Sequence, residues 1–419
     1  MIAVDWVLPV TAAPIRNGAV LVSNGRITAV SPAGTIPIPK GCFEMRFPGC
    51  AVLPAFINAH THLDYSALPA AGDGLPFFEW LELLYNLSSN TTPEEAASAA
   101  LNTASDLLKS GVAYIADAGP LGISGPILAE RGIGGVIFLE VFGIDVRDNL
   151  QERMSRLKER ISELRRTLNR SLSIGVSPHS PYTAGPELLR IANEYAVANK
   201  LPLCIHTAES VGEIERLMGL QPVFSLSRRE NVQWTPPKTT PVRYLHSLGL
   251  LRPGVVCVHC VHIDKEEIDL LASSGASVVI CPKSNALHGH GIPPFTDLVA
   301  AGVTVGLGTD GTCSVGRLDM LEEMRFALAL ERARLRSPTA VSAKTVLEAA
   351  TIGSAKALGL HRETGSIEVG KSADLTVVEL PPGRLNESNI EPAVVLGACS
   401  PVRMTMRSGR ILWSGKCPS

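Results

Sequence analysis

Charge of one sign is what this sequence has least of: 38 Lys and Arg face 40 Asp and Glu, a formal net charge of −2 over 419 residues. Without a basic excess there is no electrostatic footprint for DNA or RNA, and no polybasic stretch to hold an anionic membrane surface. No apolar run approaches the ~18 residues of a spanning helix. The opening MIAVDWVLPV has no basic segment ahead of an apolar one, so no signal peptide is expected there. A cysteine framework is lacking as well. The nine fall at 42, 50, 204, 257, 260, 281, 313, 399 and 417, an odd number without framework spacing, which argues against a disulfide scaffold. Only Cys257 and Cys260 are close enough to suggest a zinc ribbon, but they sit inside GVVCVHCVHI, which reads as one buried strand, and no second pair matches them. They are expected to be core residues. Fixed-period repeats and low-complexity tracts are missing too. What remains is 45% apolar and 19% charged residues, enough for a large buried core. These features lead to the expectation of a cytoplasmic enzyme with a small-molecule substrate and neither a nucleic-acid nor a membrane partner. If it assembles, a homodimer is expected.

Eight short β-rich runs are separated by helix-length amphipathic stretches: 51–63, 111–119, 134–143, 172–182, 202–210, 254–263, 276–285 and 304–311. Between them lie helical patterns such as PEEAASAALNTASDLLKS and PELLRIANEYAVANK. Strands alternating with helices imply a parallel sheet, and eight of them suit closure into a (β/α)8 TIM barrel, expected over 55–364. The two ends differ. Stretches such as GAVLVSNGRITAVSP and GSIEVGKSADLTVVEL alternate apolar and polar residues around Gly and Pro. One small β-sandwich domain assembled from 1–54 and 365–419 is expected, with a separate hairpin layer at each end as the alternative.

Six of the ten histidines (His60, His62, His179, His206, His259 and His262) fall in these runs, mostly toward their C-terminal ends, the face on which barrels build active sites. His60 and His62 are two apart, so on a strand they share a face, and at a barrel mouth that face converges on the axis. His206 ends the fifth run and Asp310 the eighth. Three imidazoles and a carboxylate suit one divalent transition metal, zinc first with iron or manganese as alternatives, and do not suit Mg or Ca. Glu209, three residues after His206, is placed to act as a proton shuttle. His259 is expected to orient or polarise the attacked centre, and His262 to be structural.

FINAHTHLD, PHSPY, IHTAES, VHCVH, CPKSNALHGHGIPP and LGTDGTCSVGRLDMLEEMR occur in this order. Together they resemble the amidohydrolase superfamily, in particular its purine-type deaminase branch. That branch includes methylthioadenosine/S-adenosylhomocysteine deaminases, guanine deaminase, triazine hydrolases and aminodeoxyfutalosine deaminases. The resemblance implies metal ligands at His60, His62, His206 and Asp310, a shuttle at Glu209, and an activating histidine at His259. It also implies substrate contacts at His179 and Ser314. Binuclear members carry a carboxylated lysine at the end of strand 4; SPHSPY has none, so one metal is expected.

The implied reaction is hydrolytic deamination of an adenine-nucleoside-like substrate. Its alternatives are another aminohydrolase or chlorohydrolase reaction, or a catalytically dead binding scaffold. The adenosylhomocysteine pattern is incomplete. Ser89 stands near the place of its ribose-binding glutamate, and Glu140 near that of its carboxylate-binding arginine. The HTHLD start and the segment QWTPPKTTPVRYLHSLGLL look more like the aminodeoxyfutalosine deaminases of menaquinone synthesis. Asp64 is then expected either to reach the substrate or to cap the segment after it. The benzoate of aminodeoxyfutalosine would need a cation, expected at Arg147 or, second, at Arg243.

Overall fold

The computed structural model describes residues 1–37, 39–222, 232–397 and 402–415. Eight parallel strands form one sheet: β1 (Phe56–Thr61), β2 (Val112–Gly119), β3 (Gly134–Val141), β4 (Leu172–Pro178), β5 (Leu203–Thr207), β6 (Val255–His259), β7 (Ser277–Ile280) and β8 (Val305–Leu307). Each lies within one of the eight runs read from the sequence. Helices cover the outside and side chains fill the inside, so strands such as GGVIFLEV are buried at every position and read as continuous apolar runs.

The sheet comes round on itself where β8 meets β1. Beyond β8 the Asp310 N–H donates to the His60 carbonyl at 3.1 Å, and the Thr309 N–H donates to Asn58 Oδ1 at 3.0 Å. Only a residue without a side chain fits between them: a Cβ on Gly308 would lie 2.7 Å from His60 Cβ and 2.8 Å from its backbone N and O.

The expected helices form for local reasons. Thr92 and Glu95 make a reciprocal capping box at the start of Pro93–Lys109, with Pro93 in the first turn. That helix buries Ala96, Ala100, Ala104, Leu107 and Leu108, the stripe expected of 3.6-residue periodicity. Pro186–Ala198 buries Leu188, Leu189, Ala192 and Ala196 in the same way. Each fully buried leucine contributes about 1.5–3 kcal/mol.

A second sheet draws on both ends. Its order is Arg410–Ser414, Val402–Arg407, Leu375–Glu379, Met45–Pro54, Ile2–Val7, Gly18–Ser23, Arg26–Pro32, with Ile15–Arg16 beside Ile2–Val7. Leu375–Glu379 runs antiparallel to Met45–Pro54 with Val377 opposite Val52, so the two ends share a ladder instead of forming separate layers. From Pro54 the chain passes through Ala55 straight into β1, and the Ala55 N–H donates to the Asp374 carbonyl at 3.0 Å. Among the described residues no helix is long and apolar enough to cross a membrane.

Gly308→Ala should destabilise the fold by about 1–3 kcal/mol, because the new methyl group meets β1 backbone that cannot yield. Denaturant melts of the two proteins test this, and equal midpoints would refute the close-approach argument.

Candidate metal and catalytic site

The C-terminal ends of the barrel strands bring the predicted residues to one place. His62, just beyond β1, donates its Nδ1–H to the Ala118 carbonyl at 2.8 Å. His206, in β5, donates its Nδ1–H to the His179 carbonyl at 3.0 Å. A carbonyl can only accept, so both rings are held with the Nε2 lone pair toward the site. Nitrogens of His60, His62 and His206 lie within 4.8 Å of one another, and the Nε2 atoms of His62 and His206 are 3.2 Å apart. Asp310 Oδ1 stands 3.4 Å from His62 Nε2 and 3.8 Å from His60 Nε2, while its Oδ2 accepts the Ser284 hydroxyl at 2.6 Å. His60 Nε2 is buried with no hydrogen-bond partner. Burial drives the pKa of His60 and of His206 well below the usual imidazole range, leaving the neutral form that a metal ligand requires. Three convergent lone pairs, one of them otherwise orphaned, beside a carboxylate fit a divalent transition metal.

Glu209 follows β5 through Ala208, which has φ 52°. Its Oε1 lies 3.5 Å from His259 Nε2, and burial pushes its carboxyl well above the ordinary range. His259 ends β6 with φ 74°, and its Nδ1 contacts Asn285 Oδ1 at 3.0 Å. Burial brings its pKa down to about 4, so it is neutral near pH 7. Asp310 too has a left-handed backbone, φ 61°. Non-glycine residues held in this region store strain, and such strain concentrates at functional sites.

These groups floor a cavity of about 470 Å³. Phe77, Trp80 and Leu84 of the helix Phe77–Ser89 wall it on one side, Phe142 and Tyr182 on another. His179 and Ser314 both line it, and Thr183 Oγ1 stands 2.8 Å from His179 Nδ1. Ser89 lines the distal end. His262 lies outside the lining, whereas Cys257 and Cys260 are buried and free, as core residues are.

Two expectations need correction. Asp64 borders the cavity, but its carboxylate accepts three backbone N–H groups, from Leu121 at 2.7 Å, Gly122 at 3.1 Å and Ile123 at 3.1 Å. It fixes the turn after β2 and neither caps its own segment nor extends freely toward a substrate. Arg147 is not in the cavity lining: Asp145 binds it in bidentate fashion, Oδ1 to Nε at 2.8 Å and Oδ2 to Nη2, and its side chain is half exposed. Arg243 is likewise outside, paired with Asp264 at 2.7 Å and Glu266 at 2.9 Å. Among the described residues, the arginine that does line the cavity is Arg153, bound to Asp148 at 2.6 Å.

Glu140 was noted in the sequence only as a departure from the adenosylhomocysteine pattern, and His290 was given no role. Glu140, at the end of β3, is a buried cavity-lining carboxyl whose Oε1 has no hydrogen-bond partner. His290 Nε2 lies 3.6 Å from Glu209 Oε1. It sits in a loop after β7, where no strand period singles it out, although the repeated histidine of HGH was a visible signal.

The amidohydrolase family model matches residues 51–412. The chain belongs to that family. It is 32% identical over 378 residues, 86% of this chain and 80% of the relative, to a 5-methylthioadenosine/S-adenosylhomocysteine deaminase of Syntrophobacter fumaroxidans. A Moorella thermoacetica protein of the same description is 30% identical over 412 residues, 97% of this chain and 92% of its own. Among solved structures, an adenosine deaminase from Xanthomonas campestris with bound zinc superposes with TM-score 0.86 at 28% identity, covering 98% of this chain and 92% of that one. Helicobacter pylori aminofutalosine deaminase shares the fold, with TM-score 0.86 at 24% identity over 98% of this chain and 99% of that one.

Asp64→Asn turns an amide NH2 toward backbone donors, and should cost about 1–3 kcal/mol of stability. A calorimetric melt measures it. An unchanged transition would mean that the carboxylate is not what holds the 121–123 turn.

Proposed function

We propose that the chain is a metal-dependent hydrolase that deaminates an adenosine-like nucleoside and releases ammonia. The observation that carries this reading is the floor of the cavity, where three inward imidazole nitrogens and Asp310 stand beside the buried Glu209–His259 pair. The identified relatives include adenosine and methylthioadenosine deaminases. His60, His62, His206 and Asp310 would hold one ion, zinc first and iron or manganese next, because a set of three imidazoles and one carboxylate accepts all three. Such an ion supplies Lewis acidity that brings the pKa of a water from 15.7 to roughly 7.

The chain's own residues account for the remaining chemistry. Hydrolysis forms a C–O bond at the ring carbon bearing the amino group, breaks its C–N bond, and leaves a carbonyl. Asp310, oriented by the Ser284 hydroxyl, takes the proton of the attacking water. Glu209, with its raised proton affinity, delivers its proton to the adjacent ring nitrogen. Asp310 passes the water proton on to the departing amine, and Glu209 regains a proton from the new hydroxyl as the carbonyl forms and ammonia leaves. His259, its Nδ1–H held by Asn285, keeps its Nε2 lone pair beside Glu209 to orient the carboxyl that delivers the proton. His179, Ser314 and the aromatic walls hold the base and sugar. The catalytic unit is the barrel, 55–364, and the two ends, 1–54 and 365–419, form one supporting unit. The enzyme acts in the cytoplasm on a small molecule, alone or as a homodimer.

For the 5′ substituent the cavity favours a neutral group such as a hydroxyl or thioether, since its walls are mostly apolar and the one lining arginine among the described residues, Arg153, is committed to Asp148. Aminodeoxyfutalosine, and with it a place in menaquinone synthesis, is the second reading. It requires Arg153 to exchange Asp148 for the benzoate. Ammonia release from adenosine, methylthioadenosine, adenosylhomocysteine and aminodeoxyfutalosine decides between them. Under the first reading methylthioadenosine or adenosine gives the highest kcat/KM, and Arg147→Met and Arg243→Met change none of the four rates. A strong preference for aminodeoxyfutalosine, abolished in Arg153→Met, would establish the second.

Purified protein should carry about one transition-metal ion per chain, and His206→Ala should lose metal and turnover together. Elemental analysis showing two ions, or full activity after metal removal, would overturn the mononuclear site. Glu209→Gln should keep the metal while kcat falls ~10²-fold or more and KM changes little. Steady-state kinetics with undiminished kcat would remove Glu209 from the mechanism.

A further inference from the structure

We propose that His290 is a positioning residue for the Glu209 carboxyl, a second histidine that gives the shuttle the N–H donor that His259 cannot supply. The inference rests on the deaminase reading and extends it to a residue outside the metal site.

The segment after β7 organises both histidines. Asn285, in the helix Pro282–Leu287, accepts the His259 Nδ1–H on its side-chain oxygen at 3.0 Å, and its backbone carbonyl accepts the His290 N–H at 2.8 Å. The two Nε2 atoms thereby come to the same oxygen, Glu209 Oε1, at 3.5 Å from His259 and 3.6 Å from His290. The roles of the two rings differ. A neutral His259 that gives its Nδ1–H to Asn285 has only a lone pair at Nε2, so it can accept a proton but not donate one. An ionised Glu209 beside it needs a donor, and His290 Nε2 is the imidazole nitrogen on its other side.

His290 is poorly explained as filler. Its side chain is 4% exposed, and its Nε2 is buried without a hydrogen-bond partner. A separation of 3.6 Å is too long for a hydrogen bond, but a shift of roughly half an ångström makes one, and catalytic contacts often tighten only when substrate is bound. The ring is held in place for that contact. Phe77 meets it edge-on at 4.6 Å between centroids, and His288 stacks on it at 5.4 Å. Because Phe77 belongs to the helix that walls the cavity, substrate packing against that helix would bear on the same ring. With Oε1 engaged by His290, Oε2 remains for the transferred proton. The titratable groups facing His290 are Glu209, His288, His259 and His262, with Asp310 beyond. Those facing Glu209 also include Glu213.

The test compares His290→Phe, which keeps the ring packing, with His290→Gln, which keeps a donor. In His290→Phe, metal content and melting temperature should match wild type, KM should stay within about twofold, and kcat should fall at least ~10-fold. Losing a donor to the ionised form raises the proton affinity of Glu209, and Glu209 must be protonated to act, so the alkaline limb of the kcat/KM profile should move to higher pH. His290→Gln should recover most of kcat and return the limb toward its original place. In a Glu209→Gln background, His290→Phe should add almost nothing. Wild-type kcat with an unmoved alkaline limb in His290→Phe overturns the proposal. So does equal impairment of both variants with lowered melting temperature or lost metal, which would make His290 purely structural. If the wild-type protein releases no ammonia from any nucleoside, the deaminase reading itself fails, a result distinguishable from either of these.

Discussion

Holding the ring nitrogens of three buried histidines together at one point is the constraint on which the rest of the structure depends. Bare lone pairs repel and are costly to desolvate, so the rings would turn away or protonate if nothing opposed it. Two backbone carbonyls oppose it, Ala118 O at His62 and His179 O at His206, and each takes the Nδ1–H that fixes its ring. Those carbonyls belong to the neighbouring strand β2 and to the residue just past β4. The geometry of the site is therefore the geometry of the barrel: the spacing of β1 against β2 and of β4 against β5 sets where the nitrogens meet.

The terminal sheet carries this dependence further down. Asp374 is its junction with the barrel. Its carboxylate accepts from Tyr114 Oη at 2.9 Å, Ser372 Oγ at 2.7 Å and the Ser408 N–H at 2.7 Å, and its carbonyl accepts from Ala55. Tyr114 is in β2 and Ala55 immediately precedes β1. A single acidic residue near the C-terminal end of the chain thus anchors the starts of the two strands whose far ends present His60, His62 and the Ala118 carbonyl. Supporting the barrel from below is a physical reason for the chain's two ends to share one sheet.

How much of this the sequence disclosed follows from which residues carry a period. The eight barrel strands were legible because burial on both faces produces unbroken apolar runs, and helices with caps such as Thr92–Glu95 separate them. The convergence of His60, His62, His206 and Asp310 was legible because paired histidines are costly as core residues, and the order of the motifs around them is distinctive. Ile2–Val7 was not read as a strand: five of its six residues are buried, so it lacks the alternation of an ordinary sheet strand, and it is too short to declare itself otherwise. Asp64 and Arg147 were misjudged for a common reason. The partners that decide their roles are a turn 57 residues away and an aspartate two residues away, and a charged residue's sequence position does not reveal whether its charge is already spent. His290 has no periodic context, and what makes it interesting is a contact 81 positions distant with Glu209.

Strain at the mouth of the barrel fits the same logic. Ala208, His259, Cys260 and Asp310 all adopt left-handed backbone at or just past the ends of β5, β6 and β8. Side chains bearing a Cβ resist that conformation by about 1–2 kcal/mol each. What offsets it is hydrogen bonding across strands: Cys260 N–H to Thr207 O at 2.9 Å, Val261 N–H to Ala208 O at 2.9 Å, and Asp310 N–H to His60 O at 3.1 Å. The turns redirect each strand at the point where an extended continuation would carry the next side chain away from the axis. Asp310 is thereby set against His60 and His62, and Glu209 against His259. Glycine would relieve the strain at Asp310 or His259 but would bring no carboxylate or imidazole. The chain keeps the costly residue where the chemistry needs its side chain, and uses glycine at 308, where the need is only for two backbones to approach.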